Sequence, residues 1–281
     1  SGKVREMELL DRYIMAGRLA GQLGQPNDAV TLFTEGLEHY PDEPRLLRYR
    51  GHRYISVRRF EDARRDLSKA AKITQGWQDE HEFYGPQIKD DFYRVILGKA
   101  DELEYNRVPV NEETTARTRH LYKASLLASI HYHLALSHYL LGDFEKAIAS
   151  YRDTIDVAVD EEIKVAASDW KYMALRRLGR HDEAKASLSE LELGDGAFLE
   201  SYYYRRWRMY KGELQPADLI DPNNPDKTAV ATQGYGVGNW YFYQGDKDRA
   251  IETFKLVTAS GAKDAFGYIA SETDLARLGS P

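Results

Sequence analysis

The sequence predicts an all-α protein built from stacked, antiparallel helix pairs. Ala29 and Phe33 are followed by Ala63 and Leu67, at a spacing of 34 residues (63 − 29 = 34), which is typical of repeats made of one helical hairpin each. Small residues also recur where the two helices of each pair would touch. A stack of this kind grows by adding neighbours, so the 281 residues are expected to form one elongated solenoid rather than one compact core.

Five copies of the repeat follow each other along the chain, and most of them have a glycine at the turn between their two helices. Their approximate bounds are residues 10–43, 44–74, 128–161, 165–194 and 231–261. The turn glycine is residue 24, 142, 179 or 245 in four copies, and Arg58 stands at that place in the second. Pro41 ends the first copy, because proline cannot continue a helix.

The stretch from Leu140 to Ala147, LLGDFEKA, resembles the turn signature of the tetratricopeptide repeat (TPR) family. The resemblance covers nearly the whole chain when the spacers and the tail are included. It implies a right-handed superhelical solenoid that binds a protein or peptide on its concave face.

Three segments depart from the period. Residues 75–120 are expected to be an irregular insert or a degenerate repeat, with a helix from about Gln87 to Tyr105. Residues 197–230 are expected to form a degenerate repeat, in which a lone helix precedes a turn and a loop, because Pro216, Pro222 and Pro225 disfavour a partner helix. Residues 263–278 suit a capping helix, which a solenoid needs to cover its last face.

The order of elements from about Phe198 to Leu278 resembles the end of new lipoprotein I, a family of bacterial outer-membrane TPR adaptors. The strings YFYQGD at 241–246 and FKLV at 254–257 carry the likeness. This resemblance implies a periplasm-facing adaptor that docks enzymes. Since the first residue is Ser1 and not Met, we expect an exported protein whose signal has been removed; the alternative is a cytoplasmic protein.

Composition restricts the classes of function. The absence of cysteine excludes disulfides, thiolate catalysis and cysteine–zinc sites. The net charge of −6 argues against nucleic-acid binding, and no stretch approaches the roughly 20 apolar residues that span a membrane. Charge is nevertheless uneven: residues 45–65 contain eight arginines and two acids, whereas residues 79–104 contain eight acids and three bases. This contrast indicates either internal neutralisation or two faces for a partner.

The concave face is expected to be lined by the first helix of each repeat. This face is rich in arginine, which binds carboxylates with two parallel hydrogen bonds, and in aromatic residues, which supply contact area at low entropic cost. We therefore predict a groove for an extended peptide with acidic side chains or a C-terminal carboxylate. The alternative is that these side chains pack against neighbouring helices or the acidic insert. The groove residues are Arg18, Arg45, Arg48, Tyr49, His52, Tyr132, His133, Tyr139, Trp170, Arg177, Tyr235, Asn239 and Tyr243.

A second docking patch is predicted in the aromatic and cationic run at residues 202–210. Its members are Tyr203, Arg206, Trp207 and Tyr210, which are residue types enriched at binding hot spots. This patch could serve a partner or a homodimer. The alternative is internal stacking with cation–π contacts.

No motif indicates catalysis, a cofactor or a metal. His131 and His138 are interpreted as packing residues, and Gly234–Gly238 falls inside a helix without the preceding strand that a dinucleotide site needs. The predicted function is that of a non-catalytic adaptor for proteins or peptides. Two other classes stay open: an enzyme or carrier with a small-molecule pocket between the insert 75–120 and the concave face, and a self-assembling structural subunit.

Overall fold

The computed structural model describes residues 9–83, 108–117, 123–191 and 201–279, and α-helix dominates them. The all-α class predicted from the sequence is confirmed. The helices of these ranges are α1 Leu9–Gln22, α2 Pro26–His39, α3 Pro44–Ser56, α4 Phe60–Ile73, α5 Glu112–Arg117, α6 Leu126–Leu141, α7 Phe144–Val157, α8 Glu161–Arg177, α9 His181–Ser187, α10 Tyr202–Tyr210, α11 Lys227–Tyr243, α12 Lys247–Ala259 and α13 Phe266–Arg277.

A short antiparallel sheet interrupts the predicted series of helix pairs. Strand β1, His81–Phe83, pairs with β2, Lys123–Ser125, with His81 opposite Ser125 and Phe83 opposite Lys123. Glu80 also forms a bridge with Pro109. The sheet lies within and just after the predicted insert, where the repeat pattern is lost. The helix expected from Gln87 to Tyr105 lies outside the described residues.

Close contacts between the helices of a pair explain the small residues of the repeat. A Cβ atom placed on Gly17 would lie 2.4 Å from the Phe33 ring, and one on Gly51 would lie 2.6 Å from Leu67. Gly238 makes the equivalent contact with Phe254, again at 2.6 Å and again 16 residues apart (254 − 238 = 16). The same contact of a side chain with a glycine of the paired helix thus recurs in three copies.

The turn between the paired helices uses the left-handed backbone region. Gly24, Gly142, Gly179 and Gly245 have φ angles of 73°, 84°, 74° and 90°. Arg58 takes the same place in the second copy at φ 62°, and it is the one non-glycine residue with positive φ in the described ranges. Glycine adopts this conformation without steric cost, whereas a residue with a Cβ is strained there.

The chain divides into two compact units, each with its own buried side chains. Unit 1 comprises Ser1–Ser137 and Asp153–Ile163, and unit 2 comprises His138–Arg152 and Lys164–Pro281. Phe33, Leu46 and Leu47 are buried in unit 1. In unit 2, Gly267 at the start of α13 approaches the Ala231 carbonyl oxygen of α11 so closely that a Cβ would lie 2.3 Å from it. The predicted capping helix therefore packs directly on α11.

The irregular segment before α11 contains the lone helix α10 and a 3-10 turn at Pro216–Asp218. None of the helices in the described ranges has the length and apolar character that crossing a membrane requires.

Candidate protein-binding site

Two arginines on α3 hold two carboxylates on the segment that forms β1. Arg45 Nη2 donates to both carboxylate oxygens of Glu80, at 2.7 and 2.6 Å. One turn later, Arg48 Nη2 lies 3.0 Å from Glu82 Oε2, and both side chains are buried. Residues three apart on a helix share a face, and residues two apart on a strand share a side. The arginine face of α3, formed by Arg45 and Arg48, therefore matches an extended acidic segment in register.

The charge of Arg45 is maintained by its neighbours. Burial by itself lowers the pKa of this guanidinium, but Glu43 and Glu80 outweigh that effect, so the pKa is raised above its ordinary value. Glu43 is also the N-cap of α3, where its side chain accepts from the Arg45 backbone N–H. The carboxylate of Glu43 at the N-terminus of α3 therefore orients the Arg45 guanidinium, and the carboxylate of Glu80 from the insert binds it.

Backbone hydrogen bonds hold the acidic segment from both sides. The His81 N–H donates to the Val108 carbonyl at 2.8 Å, and the Leu126 N–H donates to the Glu80 carbonyl at 2.8 Å. The buried ring of His81 has its Nε2 3.4 Å and 3.3 Å from the hydroxyls of Thr114 and Thr115. The segment is therefore anchored by its neighbours while its two glutamates contact α3.

An aromatic side chain lies beneath the arginines. The guanidinium carbons of Arg48 and Arg18 lie 4.6 and 5.2 Å from the centre of the Tyr49 ring. Tyr49 in turn stacks on Phe33, with ring centres 5.7 Å apart. Cation–π contacts of this kind restrict the arginine side chains. They favour carboxylate binding only indirectly, by holding the guanidinium N–H donors in place.

A pair of histidines completes this part of unit 1. The rings of His52 and His133 lie 4.4 Å apart, and His133 Nδ1 is 2.6 Å from the Ser129 carbonyl oxygen. Burial, reinforced by the charge of Arg48, holds the pKa of His133 well below its ordinary value. Both causes favour the neutral imidazole, so the arginines supply the positive charge of this region.

The structure thus brings together the groove residues predicted in unit 1, but it does not leave them open. Glu80 and Glu82 of the insert occupy the arginine face, as the alternative interpretation of the sequence anticipated. Arg45 and His52 are half-buried. The other predicted groove residues of this unit are buried: Arg18, Arg48, Tyr49, Tyr132 and His133.

The groove residues predicted in unit 2 form a buried polar network around Asp274 of α13. Arg177 donates to Asp274 and to Asn239, both at 2.5 Å. The Tyr235 hydroxyl lies 3.0 Å from Asp274 Oδ2 and 2.7 Å from the Tyr139 hydroxyl. The capping helix therefore supplies the carboxylate that these side chains bind, and they do not line an open groove.

Two further predicted groove residues pack against aromatic or cationic neighbours in unit 2. The buried ring of Trp170 stacks on Tyr235, with ring centres 5.3 Å apart. The ring of Tyr243 is half-buried and lies 4.2 Å from the guanidinium carbon of Arg176.

The predicted second docking patch is largely internal. Arg206 and Trp207 are buried, at 0% and 1% exposure. Arg206 forms an ion pair with the equally buried Asp169 and donates to the Thr232 carbonyl at 2.7 Å. Its side chain passes over Gly236, where a Cβ would lie only 2.5 Å from it. These two side chains stabilise the fold and do not form an open docking face.

The other two members of the patch, Tyr203 and Tyr210, are half-buried. Tyr210 stacks on Tyr172 with ring centres 4.2 Å apart. A homodimer through this patch stays a prediction that sedimentation would test.

Sequence reasoning missed a basic pocket in unit 2 of about 770 Å³. Its charged members include Arg176, Lys185 and Lys211, which come from α8, α9 and the residue after α10. The sequence prediction considered the inward positions of each first helix, whereas this pocket forms where separate helices end. Only the packing of those helices brings its bases together.

The helix pairs and their glycine turns define a helical-hairpin repeat protein. Comparison with family models then identifies the repeat: residues 14–79 and residues 128–158 each match a tetratricopeptide repeat model. The chain therefore carries tetratricopeptide repeats, and the all-α TPR fold is confirmed. Repeats of this kind indicate a protein partner. A search of curated proteins found no match.

Proposed function

We propose that this protein is a non-catalytic adaptor that binds an acidic, extended segment of a partner protein on the arginine face of α3. The observation that carries the proposal is the match of Glu80 and Glu82 to Arg45 and Arg48, because the chain's own segment is an acidic strand seated on a TPR helix. In this proposal, the partner's segment takes the place of residues 80–82.

Exchange of one acidic segment for another keeps the number of ion pairs on α3 unchanged. Removing one partner of a buried pair is strongly destabilising, typically by about 3–5 kcal/mol, since it leaves an uncompensated charge. A segment that brings its own two carboxylates restores both pairs. The remaining obstacle is that the resident segment belongs to the same chain, with an effective concentration on the order of millimolar.

The first experiment weakens the resident segment and supplies a competitor. A fluorescein-labelled peptide with the sequence of residues 79–83, Asp-Glu-His-Glu-Phe, is titrated against wild type and against the Glu80→Gln, Glu82→Gln variant. We expect the variant to bind at least about tenfold more tightly, because the carboxylates of Glu80 and Glu82 no longer occupy Arg45 and Arg48. The matched control is Glu112→Gln, Glu113→Gln, which removes two exposed charges from α5 and should behave like wild type.

Peptide chemistry provides the second control. The peptide Asp-Gln-His-Gln-Phe should not bind the variant, since it cannot restore either ion pair. Thermal melting establishes that each variant is folded before the titration. Equal affinity of the acidic peptide for the wild type, the variant and the control would show that the arginine face is not the docking surface.

We also propose that the adaptor acts in the periplasm. The support is the resemblance of residues 198–278 to the outer-membrane adaptor lipoproteins. Fractionation of the source cells with an antibody to this protein tests the location; recovery in the cytoplasmic fraction alone would contradict it.

A further inference from the structure

A second surface with the chemistry of a binding site lies in unit 2 and shares no residue with the arginine face. The basic pocket is formed by the last turn of α8, the helix α9 with the residues after it, and the end of α10. Its volume of about 770 Å³ lies within the usual range of ligand pockets, about 300–1,000 Å³. Lys185, Lys211 and His181 are exposed around it, and Asp182 is the single acid among its lining residues.

Within the described residues, three bases of this pocket differ from most arginines in having no carboxylate partner. In the described part of the protein, Arg176, Lys185 and Lys211 make no ion pair, although Arg180 nearby pairs with Glu145 and Glu183. Three permanent positive charges against one negative charge leave the pocket with a charge of +2 (3 − 1 = 2) when His181 is neutral. Charge complementarity therefore favours a dianion.

Arg176 is already held in position. Its Nη1 donates to the Tyr172 hydroxyl at 3.1 Å, and its guanidinium carbon lies 4.2 Å from the centre of the Tyr243 ring. Its Nε is buried and makes no hydrogen bond within the described structure. A planar guanidinium fixed in this way loses little conformational freedom when it binds an oxyanion.

We infer that the basic pocket binds a phosphorylated side chain of a peptide or protein. A phosphate monoester carries about −1.5 to −2 charge at neutral pH and has three strong acceptor oxygens, which matches the charge of the pocket and the donors of Arg176. The pocket is larger than a phosphate group, so residues that flank the phosphorylated one have room to enter. This inference concerns its own unit and its own residues, and it does not depend on the proposal for α3.

The test uses labelled peptides of the form Gly-Ala-X-Ala-Gly, in which X is phosphotyrosine, phosphoserine, glutamate or tyrosine. We expect at least one phosphorylated peptide to bind about tenfold or more tightly than the glutamate and tyrosine peptides. The variant Lys185→Gln, Lys211→Gln should lower that affinity by about tenfold, because it removes two exposed charge contacts. Arg176→Lys keeps the charge but removes the planar guanidinium with its paired N–H donors, so it should also weaken binding.

The matched control is Lys247→Gln, Lys255→Gln, which removes two exposed lysines from α12 of the same unit and should leave affinity unchanged. Inorganic phosphate at equal concentration is the competitor that separates a peptide site from a free-anion site. The inference is overturned if the glutamate or tyrosine peptide binds as tightly as the phosphopeptides. It is also overturned if the pocket variant and the control bind alike, or if inorganic phosphate binds as tightly as the best phosphopeptide.

Discussion

Among single residues, Arg58 shows where the repeat is locally strained. It occupies the left-handed turn position that glycine takes at 24, 142, 179 and 245. Its side chain donates to the Ser56 carbonyl, which offsets part of the cost. The alignment of turn glycines identified this position from the sequence alone, because a turn that recurs in a repeat must keep its backbone geometry.

Arg58→Gly is therefore expected to stabilise the protein. A residue with a Cβ pays about 1–2 kcal/mol in the left-handed region, and the lost hydrogen bond reduces the gain to about 0.5–1 kcal/mol. Urea denaturation measures the change. Arg64→Gly, inside α4, is the control and should destabilise by about 1 kcal/mol. A lower stability of Arg58→Gly would mean that the Arg58 side chain outweighs the backbone strain.

His133 links stability to pH. Burial first, and Arg48 second, depress the pKa of His133 in the folded protein, whereas the unfolded chain has the ordinary value of about 6.5. Below that value the unfolded state binds the proton first, so stability falls as the pH is lowered from about 6.5. We expect the melting temperature to decline between pH 7 and pH 5, and to decline less in His133→Gln.

Identical profiles for wild type and His133→Gln would show that His133 does not remain neutral in the folded state.

At the scale of elements, the contact between α3 and α4 depends on the absence of a side chain at Gly51. A Cβ there would lie 2.6 Å from Leu67 Cγ. Gly51→Ala gains about 1 kcal/mol of helix propensity but overpacks the contact at a typical cost of about 1–3 kcal/mol, so a net loss of about 1 kcal/mol is expected.

A double-mutant cycle checks the origin of that loss. In the background of Leu67→Ala, the change Gly51→Ala should be neutral or stabilising, because the methyl group then has room. The same loss in both backgrounds would place the overpacking elsewhere. Thermal or urea unfolding gives all four stabilities.

The contact between α3 and the acidic segment at residues 80–82 shows how much of the site could be predicted from the sequence. The basic segment 45–65 and the acidic segment 79–104 were visible as a contrast in charge, and internal neutralisation was one of two interpretations. The sequence could not choose between them, because a position in the repeat gives the direction of a side chain but not the carboxylate that meets it. Contacts 35 residues apart, such as Arg45 with Glu80, are decided by the path of the insert.

The same limit explains the buried network in unit 2. The repeat pattern correctly placed Arg177, Tyr235 and Asn239 on first helices. It did not show that Asp274 of the capping helix would meet them.

For the whole molecule, the net charge of −6 does not show that many charged side chains form ion pairs with each other. At least six of the eight arginines between residues 45 and 65 have a carboxylate within 4 Å, namely 45, 48, 50, 59, 64 and 65. The basic segment is therefore largely neutralised. Recognition of an acidic partner requires either exchange of a resident carboxylate, as proposed for α3, or unpaired bases, as in the basic pocket.

Hydrogen exchange at one backbone amide tests the central claim most directly. The His81 amide is hydrogen-bonded to the Val108 carbonyl only while the resident segment is in place, whereas the Leu126 amide can donate either to the Glu80 carbonyl or to the equivalent carbonyl of a bound peptide. With saturating Asp-Glu-His-Glu-Phe peptide added to the Glu80→Gln, Glu82→Gln variant, our account predicts faster exchange at the His81 amide and unchanged exchange at the Ala70-bonded amide of Thr74. Binding of the peptide with the His81 amide still protected, or no binding at all, would contradict the exchange of acidic segments on α3.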